Sequence, residues 1–310
     1  MEIPKLPDWL HLSPAVVTAR TGRHPIVALE SAVLTHGLPR DERLPVANEL
    51  EEAVRQAHAT PAFIALVAGK ARVGLTGREV ETLTKEENVS KCTRGDLGWL
   101  LAQHASAGTT VSATIFVAAQ AGIEVVATGG IGGVHRDAAD TFDISADLVE
   151  LSRTPVTLVC SGVKTVLDAR KTLEFLESQS VPVIGFETEE LPGFFVRQTG
   201  LRLRAITGDL TELAAAVHSY RATGYHGGIL VAKPVPAEAA LTAEEVEPQV
   251  AQALKEATKQ GVSGAALTPF LLESLNRLSG GATLLANKAL LRSNAELAAR
   301  LAVALRKGHL

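Results

Sequence analysis

Short, largely apolar segments bounded by turn-forming residues recur along this chain, at 26–29, 62–67, 124–127, 156–160, 183–186 and 228–232. Runs of this length without polar alternation are the signature of strands buried on both faces. A strand covered on both faces needs a helical layer on each side of its sheet. The segments 46–58, 165–178 and 210–222 carry helical patterns long enough to cover a sheet face. Alternation of this kind predicts an α/β fold with a largely parallel sheet. Beyond Pro234 the pattern changes to consecutive helices at 242–260, 269–278 and 287–307, with Thr242 and Glu245 at capping-box spacing. No fixed-period repeat and no separating linker interrupts the 310 residues, so residues 1–310 are expected to form a single domain.

Charge and composition narrow the partners. The formal net charge is −4 and aromatic residues make up only 4%. The first offers no basic field for a polyphosphate backbone, and the second no stacking platform for single-stranded nucleic acid. A small anionic ligand is expected instead. The two cysteines, Cys92 and Cys160, lack the spacing of a disulfide framework or a zinc ribbon. The opening residues lack a basic stretch followed by a long apolar run, which predicts a cytoplasmic protein. The nearly uncharged stretch 105–134 is broken at Ala121-Gly122 and reads as a buried helix followed by a buried strand, not as a membrane span.

In open α/β sheets, ligands gather at the carboxyl ends of strands. Glu30 closes the first of the apolar runs. A carboxyl group there should have a raised pKa and could donate a proton near neutrality, although a strand-end ion pair would use the same residue. Lys164 follows another run, at the expected start of a helix. Burial and the positive end of a helix dipole would favour the neutral amine that imine chemistry needs, whereas a solvated surface lysine is the plainer reading. In the polar group Lys91, Thr93, Arg94 and Asp96, the two cations and the hydroxyl would suit a phosphate, or Asp96 or Thr93 would simply cap a turn. The stretch from Gly129 to Gly133 has four glycines in five positions. Its backbone, at Gly130 and Gly132 especially, could approach a ligand closely, or could merely form a tight turn. It is not a dinucleotide fingerprint, because His135 stands where the third glycine should be. Asp137, Asp140, Asp143 and Asp147 offer hard oxygens for Mg²⁺ or Mn²⁺, although Asp143 or Ser145 could simply cap a helix. The hydroxyls of 109–114 open an apolar helix, and capping alone could account for them.

Taken in order, these segments resemble the pseudouridine-5′-phosphate glycosidase family, also called indigoidine-synthase-A-like. The pieces that carry the resemblance are Ala-Leu-Glu30-Ser with Thr-His36-Gly, Val-Gly-Leu at 73–75, Lys91-Cys-Thr-Arg-Gly-Asp, and Thr-Thr-Val-Ser-Ala-Thr at 109–114. They continue with Ala-Thr-Gly-Gly-Ile-Gly-Gly-Val-His135-Arg, Thr-Phe-Asp143-Ile-Ser-Ala-Asp147-Leu, Val-Cys-Ser-Gly-Val-Lys164, Thr-Pro-Phe-Leu-Leu at 268–272 and the Asn287 region.

The resemblance implies a three-layer α/β/α fold with a mixed, largely parallel central sheet and a helical C-terminal segment, assembled as a homotrimer. It implies reversible cleavage of the C-glycosidic bond of pseudouridine 5′-phosphate to uracil and ribose 5-phosphate. Lys164 would be the nucleophile that holds ring-opened ribose as an imine, and Glu30 the acid and base. Lys91, Val111, the turn of Ser145, Ala146 and Asp147, and His135 and Asn287 would bind substrate. Asp143 would anchor one Mn²⁺, or Mg²⁺ or another divalent ion, largely through water. No fused sugar-kinase domain is expected, so a separate kinase would supply the phosphorylated nucleoside. Two other readings remain: a different lysine-imine enzyme acting on a phosphorylated sugar, or a non-catalytic metabolite-binding accessory protein.

Overall fold

A computed structural model describes residues 6–86, 89–262, 264 and 267–307. Its strands are β1 (Leu10–Leu12), β2 (Ile26–Glu30), β3 (Thr60–Val67), β4 (Lys70–Val73), β5 (Ser90–Cys92), β6 (Ala107–Thr109), β7 (Val125–Ala127), β8 (Thr157–Cys160), β9 (Val183–Phe186), β10 (Ala205–Thr207) and β11 (Ile229–Ala232). They form one sheet in the order β1-β4-β3-β2-β7-β8-β11-β9-β10, with β6 attached to β3 and β5 to β6. Each apolar run of the sequence is a strand in its middle, and residues of β2, β7, β8 and β11 are buried almost throughout.

The sheet is parallel except at β3, which pairs antiparallel with β4 and with β6. The β3–β4 exception arises from a tight hairpin: Ala68 and Gly69 both have positive φ, and an immediate reversal can only join antiparallel strands. β3 outlasts its neighbour β2. Its first half pairs with β2 as far as Ile64, and Ala65 and Leu66 then pair with β6 along the same edge. Ser31 closes the seam, its hydroxyl donating to the Ile64 carbonyl at 2.5 Å and accepting from the Thr109 amide at 2.9 Å.

Helices cover both faces. On one side the long helix Ala282–Lys307 packs on β2, β7 and β8, flanked by Arg40–Gln56 and Leu210–Ala222. On the other, Val111–Gln120 packs on β2, β3 and β7, and Pro14–Thr21 on β2 and β3. The core between the layers is aliphatic, as the scarcity of aromatic residues requires. The C-terminal helices Ala243–Lys259, Leu267–Leu278 and Ala282–Lys307 follow β11 as expected, and Thr242 with Glu245 forms a complete capping box.

One expected helix starts later than its pattern suggested. The segment after β8 runs as a turn through Lys164 and Leu167, and the helix is Ala169–Ser178, capped by Asp168 accepting from the Lys171 amide. Lys164 therefore does not sit at a helix start, and the dipole argument for its amine falls away. The cap explains the shift, because Asp168 offers its carboxylate to the first free amides whereas Thr165 donates its hydroxyl to the Gly193 carbonyl.

Candidate active site

Parallel register brings the site together. β2 and β7 pair with Leu29 beside Ala127, so the next residues, Glu30 and Thr128, lie side by side at the carboxyl ends of their strands. β7 and β8 pair with Ala127 beside Val159, which carries the chain from β8 through Ser161 to Lys164 over the same edge. The order of strands turns at this point, with β3 to one side of β2 and β7 and β8 to the other, a switch point of the kind where α/β sheets open a crevice.

The crevice is a cavity of about 130 Å³. Glu30, Lys91, Gly130, Gly132, His135, Ser145, Ala146, Asp147, Lys164 and Asn287 all line it. Two expected residues do not. Val111 is buried in the core, and its neighbour Thr110 faces the cavity instead. Helical periodicity is the reason: Val111 is the first residue of Val111–Gln120, whose apolar face turns to the sheet. Asp143 also lies outside the lining, its side chain 43% exposed and 3.6 Å from the ring of His135.

Glu30 is 6% exposed and its carboxylate accepts a hydrogen bond from the Thr128 hydroxyl. Burial pushes the carboxyl above the usual range, and Asp147 adds to the rise, while Lys164, Thr128 and Lys91 oppose it. Lys164 is half-buried and, among the described residues, has no carboxylate within ion-pair distance. Lys91 enters from β5, and burial lowers its pKa with Lys164 as the second cause. Two amines and a protonatable carboxyl thus share one small chamber.

Asp147 is 6% exposed and spans two elements, accepting from the Ser112 amide at 2.9 Å and the Gly132 amide at 2.9 Å. It caps Val111–Gln120 from outside that helix, where Thr110 makes no side-chain cap, and fixes the glycine loop against it. The four glycines answer to close packing. A Cβ on Gly132 would lie 2.2 Å from the Ser145 hydroxyl, and one on Gly130 2.6 Å from the Phe194 ring. The Ile131 and Gly132 amides are engaged within the protein. Ser145 caps the helix Ala146–Leu151 while also lining the cavity. Arg94, a candidate phosphate ligand in the sequence, is turned away, 3.7 Å above the Phe116 ring and 3.8 Å from Glu150. Both thiols are pushed up to about 12 by burial, so neither supplies a thiolate near neutrality.

His36 and Thr128 also line the cavity. In the sequence both stand only inside longer motifs, Thr-His36-Gly and Ala-Thr128-Gly-Gly. The strand-end rule that singled out Glu30 applies equally to Thr128, whereas His36 closes the short helix Ala32–His36, which no strand-end rule reaches. The His36 ring is held 2.6 Å from the Thr35 hydroxyl, and burial lowers its pKa, with Lys91 and Arg43 adding to the effect.

A family model described as indigoidine synthase A-like protein matches residues 15–304. The chain belongs to the indigoidine synthase A-like family. Among curated members, pseudouridine-5′-phosphate glycosidases from Paracoccus denitrificans and Caldanaerobacter subterraneus subsp. tengcongensis are similar to this chain. The first is 48% identical, over 97% of this chain and 99% of the relative. The second is 46% identical, over 96% of this chain and 97% of the relative. Among solved structures, a prealnumycin C-glycosynthase in complex with ribulose 5-phosphate superposes with a TM-score of 0.90 at 37% identity, covering 98% of this chain and 99% of the other. An indigoidine synthase A-like protein from Thermotoga maritima gives 0.88 at 34% identity, covering 98% and 100%. The mixed, mostly parallel sheet with flanking helices is thus the architecture of this indigoidine synthase A-like family.

Proposed function

We propose that the chain is a pseudouridine-5′-phosphate glycosidase, a single catalytic domain that reversibly converts pseudouridine 5′-phosphate and water into uracil and ribose 5-phosphate. The observation that carries this reading is the chamber shared by a buried Glu30, whose pKa burial raises, and the amine of Lys164, which has no ion-pair partner among the described residues. The names and coverage of its relatives support it. A carbon-linked base has no heteroatom to protonate as it leaves, so two carboxylates alone do not suffice. In this mechanism Glu30 gives its proton to the ring oxygen as the C1′–O4′ bond breaks, and the Lys164 lone pair forms a bond to C1′. The resulting secondary ammonium passes a proton to the Glu30 carboxylate, which delivers it to C5 of the base as the C1′–C5 bond breaks, and the regenerated nitrogen lone pair completes a protonated C1′=N. Water hydrolyses the imine, releasing the aldehyde form of ribose 5-phosphate and the free amine. The net addition is one water, its proton on the base and its oxygen on C1′.

Lys91 places a second amine in the same chamber, where it can contact the substrate. Thr128 holds the Glu30 carboxyl in place. Asp147, Ser145 and Ala146 with Gly130 and Gly132 shape the chamber around the sugar, and His135 and Asn287 complete its hydrogen-bonding wall. Adjoining clefts, one sharing Lys164 and Leu167 with the chamber and one sharing His36 and Asn287, would receive the parts of the nucleotide that extend beyond the sugar.

Asp143 would hold the divalent ion. Among the described residues no group of three or more acidic, histidine or cysteine side chains is placed to bind a metal. A lone, half-exposed carboxylate fits Mn²⁺ or Mg²⁺ bound through water and a substrate phosphate. When bound, the ion would neutralise phosphate charge beside His135. The same reading carries a homotrimer and a cytoplasmic setting. The structure's helices include none long and apolar enough to cross a membrane among the described residues.

Uracil, ribose 5-phosphate and Mn²⁺ incubated with the protein should give pseudouridine 5′-phosphate. Borohydride should trap ribose 5-phosphate on Lys164, and Lys164→Ala should abolish both products without lowering Tm appreciably. Trapping without synthesis would point to a different imine enzyme. Binding without either would point to an accessory protein, and turnover by Lys164→Ala would overturn the assignment.

A further inference from the structure

The long C-terminal helix brings one polar side chain under the cavity floor. Asn294 is completely buried on the face of Ala282–Lys307 that packs on β7 and β8. Its amide nitrogen lies 2.9 Å from the Thr128 carbonyl, 3.2 Å from the Gly129 carbonyl and 3.1 Å from the Ser161 hydroxyl. The Ser161 hydroxyl also lies 3.3 Å from the amide oxygen. A primary amide has two hydrogens for these three acceptors, so the donors are shared across both loops. Desolvating such a group among apolar neighbours costs free energy unless it is bonded, and here each bond reaches a residue just past a strand that carries the site.

We propose that Asn294 is a positioning residue, clamping the loop after β7 to the loop after β8 and so fixing Glu30 relative to Lys164. The connections are short on both sides. Thr128, held through its carbonyl, donates its hydroxyl to Glu30. Ser161 lies three residues before Lys164, whose amide donates to the Ile131 carbonyl at 3.2 Å in the opposite loop. The proposal rests on reading Glu30 and Lys164 as the working pair.

The test separates the clamp from general stability and from the assigned reaction. Asn294→Leu keeps about the same volume and removes the donors. The carboxyl of Glu30, followed by ¹³C NMR and assigned with Glu30→Gln, faces Thr128, Lys164, Lys91 and Asp147. Loosening Thr128 removes an influence that holds this titration down, so its midpoint should move upward in the variant. Single-turnover trapping of ribose 5-phosphate should slow roughly 10- to 100-fold while KM changes less than about threefold. Leu297→Ala, buried on the same helix, should lower Tm and leave the midpoint in place. If Asn294→Leu does not fold, Asn294→Ser gives the same readings with a single shorter donor. An unmoved midpoint and an unchanged trapping rate in a folded variant would overturn the clamp. Absence of trapping in the parent protein would sink the imine reading, while the titration would still decide the clamp.

Discussion

Glu30 shows how one residue can trade stability for chemistry. Its folded-state pKa is raised mainly by burial, so folding favours the protonated form. The stability associated with that proton is fully present below the ordinary carboxylate range and is lost as pH rises through the raised value. Glu30→Gln keeps a group able to accept from Thr128 and removes the ionisation. The variant should therefore match the parent in Tm near pH 4 and gain on it steadily toward neutrality, while losing activity; equal Tm values across that range would contradict the assigned cost. At this scale the sequence was informative where a polar residue ended an apolar run, as at Glu30. It was silent on Asn294, because a single Asn within a helical apolar pattern carries no sign of which two loops it will meet. Lys164 lay between these cases: its place after β8 was legible, but the reason offered for its amine assumed a helix that starts at Ala169.

The elements around the site are joined at few, tight points. Asp147 ties the helix Val111–Gln120 to the glycine loop, and Asp147→Ala would strand two buried amides. A loss on the order of 2–4 kcal/mol by denaturant unfolding is expected, with activity lost as well. Gly162 has φ +76°, and a Cβ there would lie 1.9 Å from the Pro192 carbonyl oxygen. Gly162→Ala should cost about 3 kcal/mol or more, since both the backbone conformation and the contact resist it. By contrast, Thr242→Ala should cost about 1 kcal/mol through its capping box alone and leave turnover intact. Buried strands such as β9 and the helix Leu210–Ala222 were readable to the residue because periodicity is a local property. β1, β4, β6 and β10 were not, since three or four residues are too few to show a period, whether partly buried as in β1, β4 and β10 or fully buried as in β6. The direction of β6 depends on β3 outrunning β2, which is a tertiary fact.

For the whole molecule, the proposed assembly should appear in mass photometry as one species near three times the 32.6 kDa chain mass. Chelation should suppress pseudouridine 5′-phosphate synthesis, and Asp143→Asn should raise the Mn²⁺ concentration needed to restore it. Among the described residues, the half-exposed Asp143 side chain makes only the 3.6 Å approach to His135, so its loss should change Tm little. The seam at Ser31 has a wider bearing. β2 ends at Glu30, and its place along β3 passes to a strand running the other way. The interior of a continuous sheet leaves no room for a reactant between its members. Here β2 stops at Glu30 and Ser31 fills the seam behind it, which leaves the carboxyl on the cavity wall. A different end to β2 would move the acid relative to the amine. Strand length, a quantity usually associated with architecture, therefore sets how far catalysis can reach into this protein.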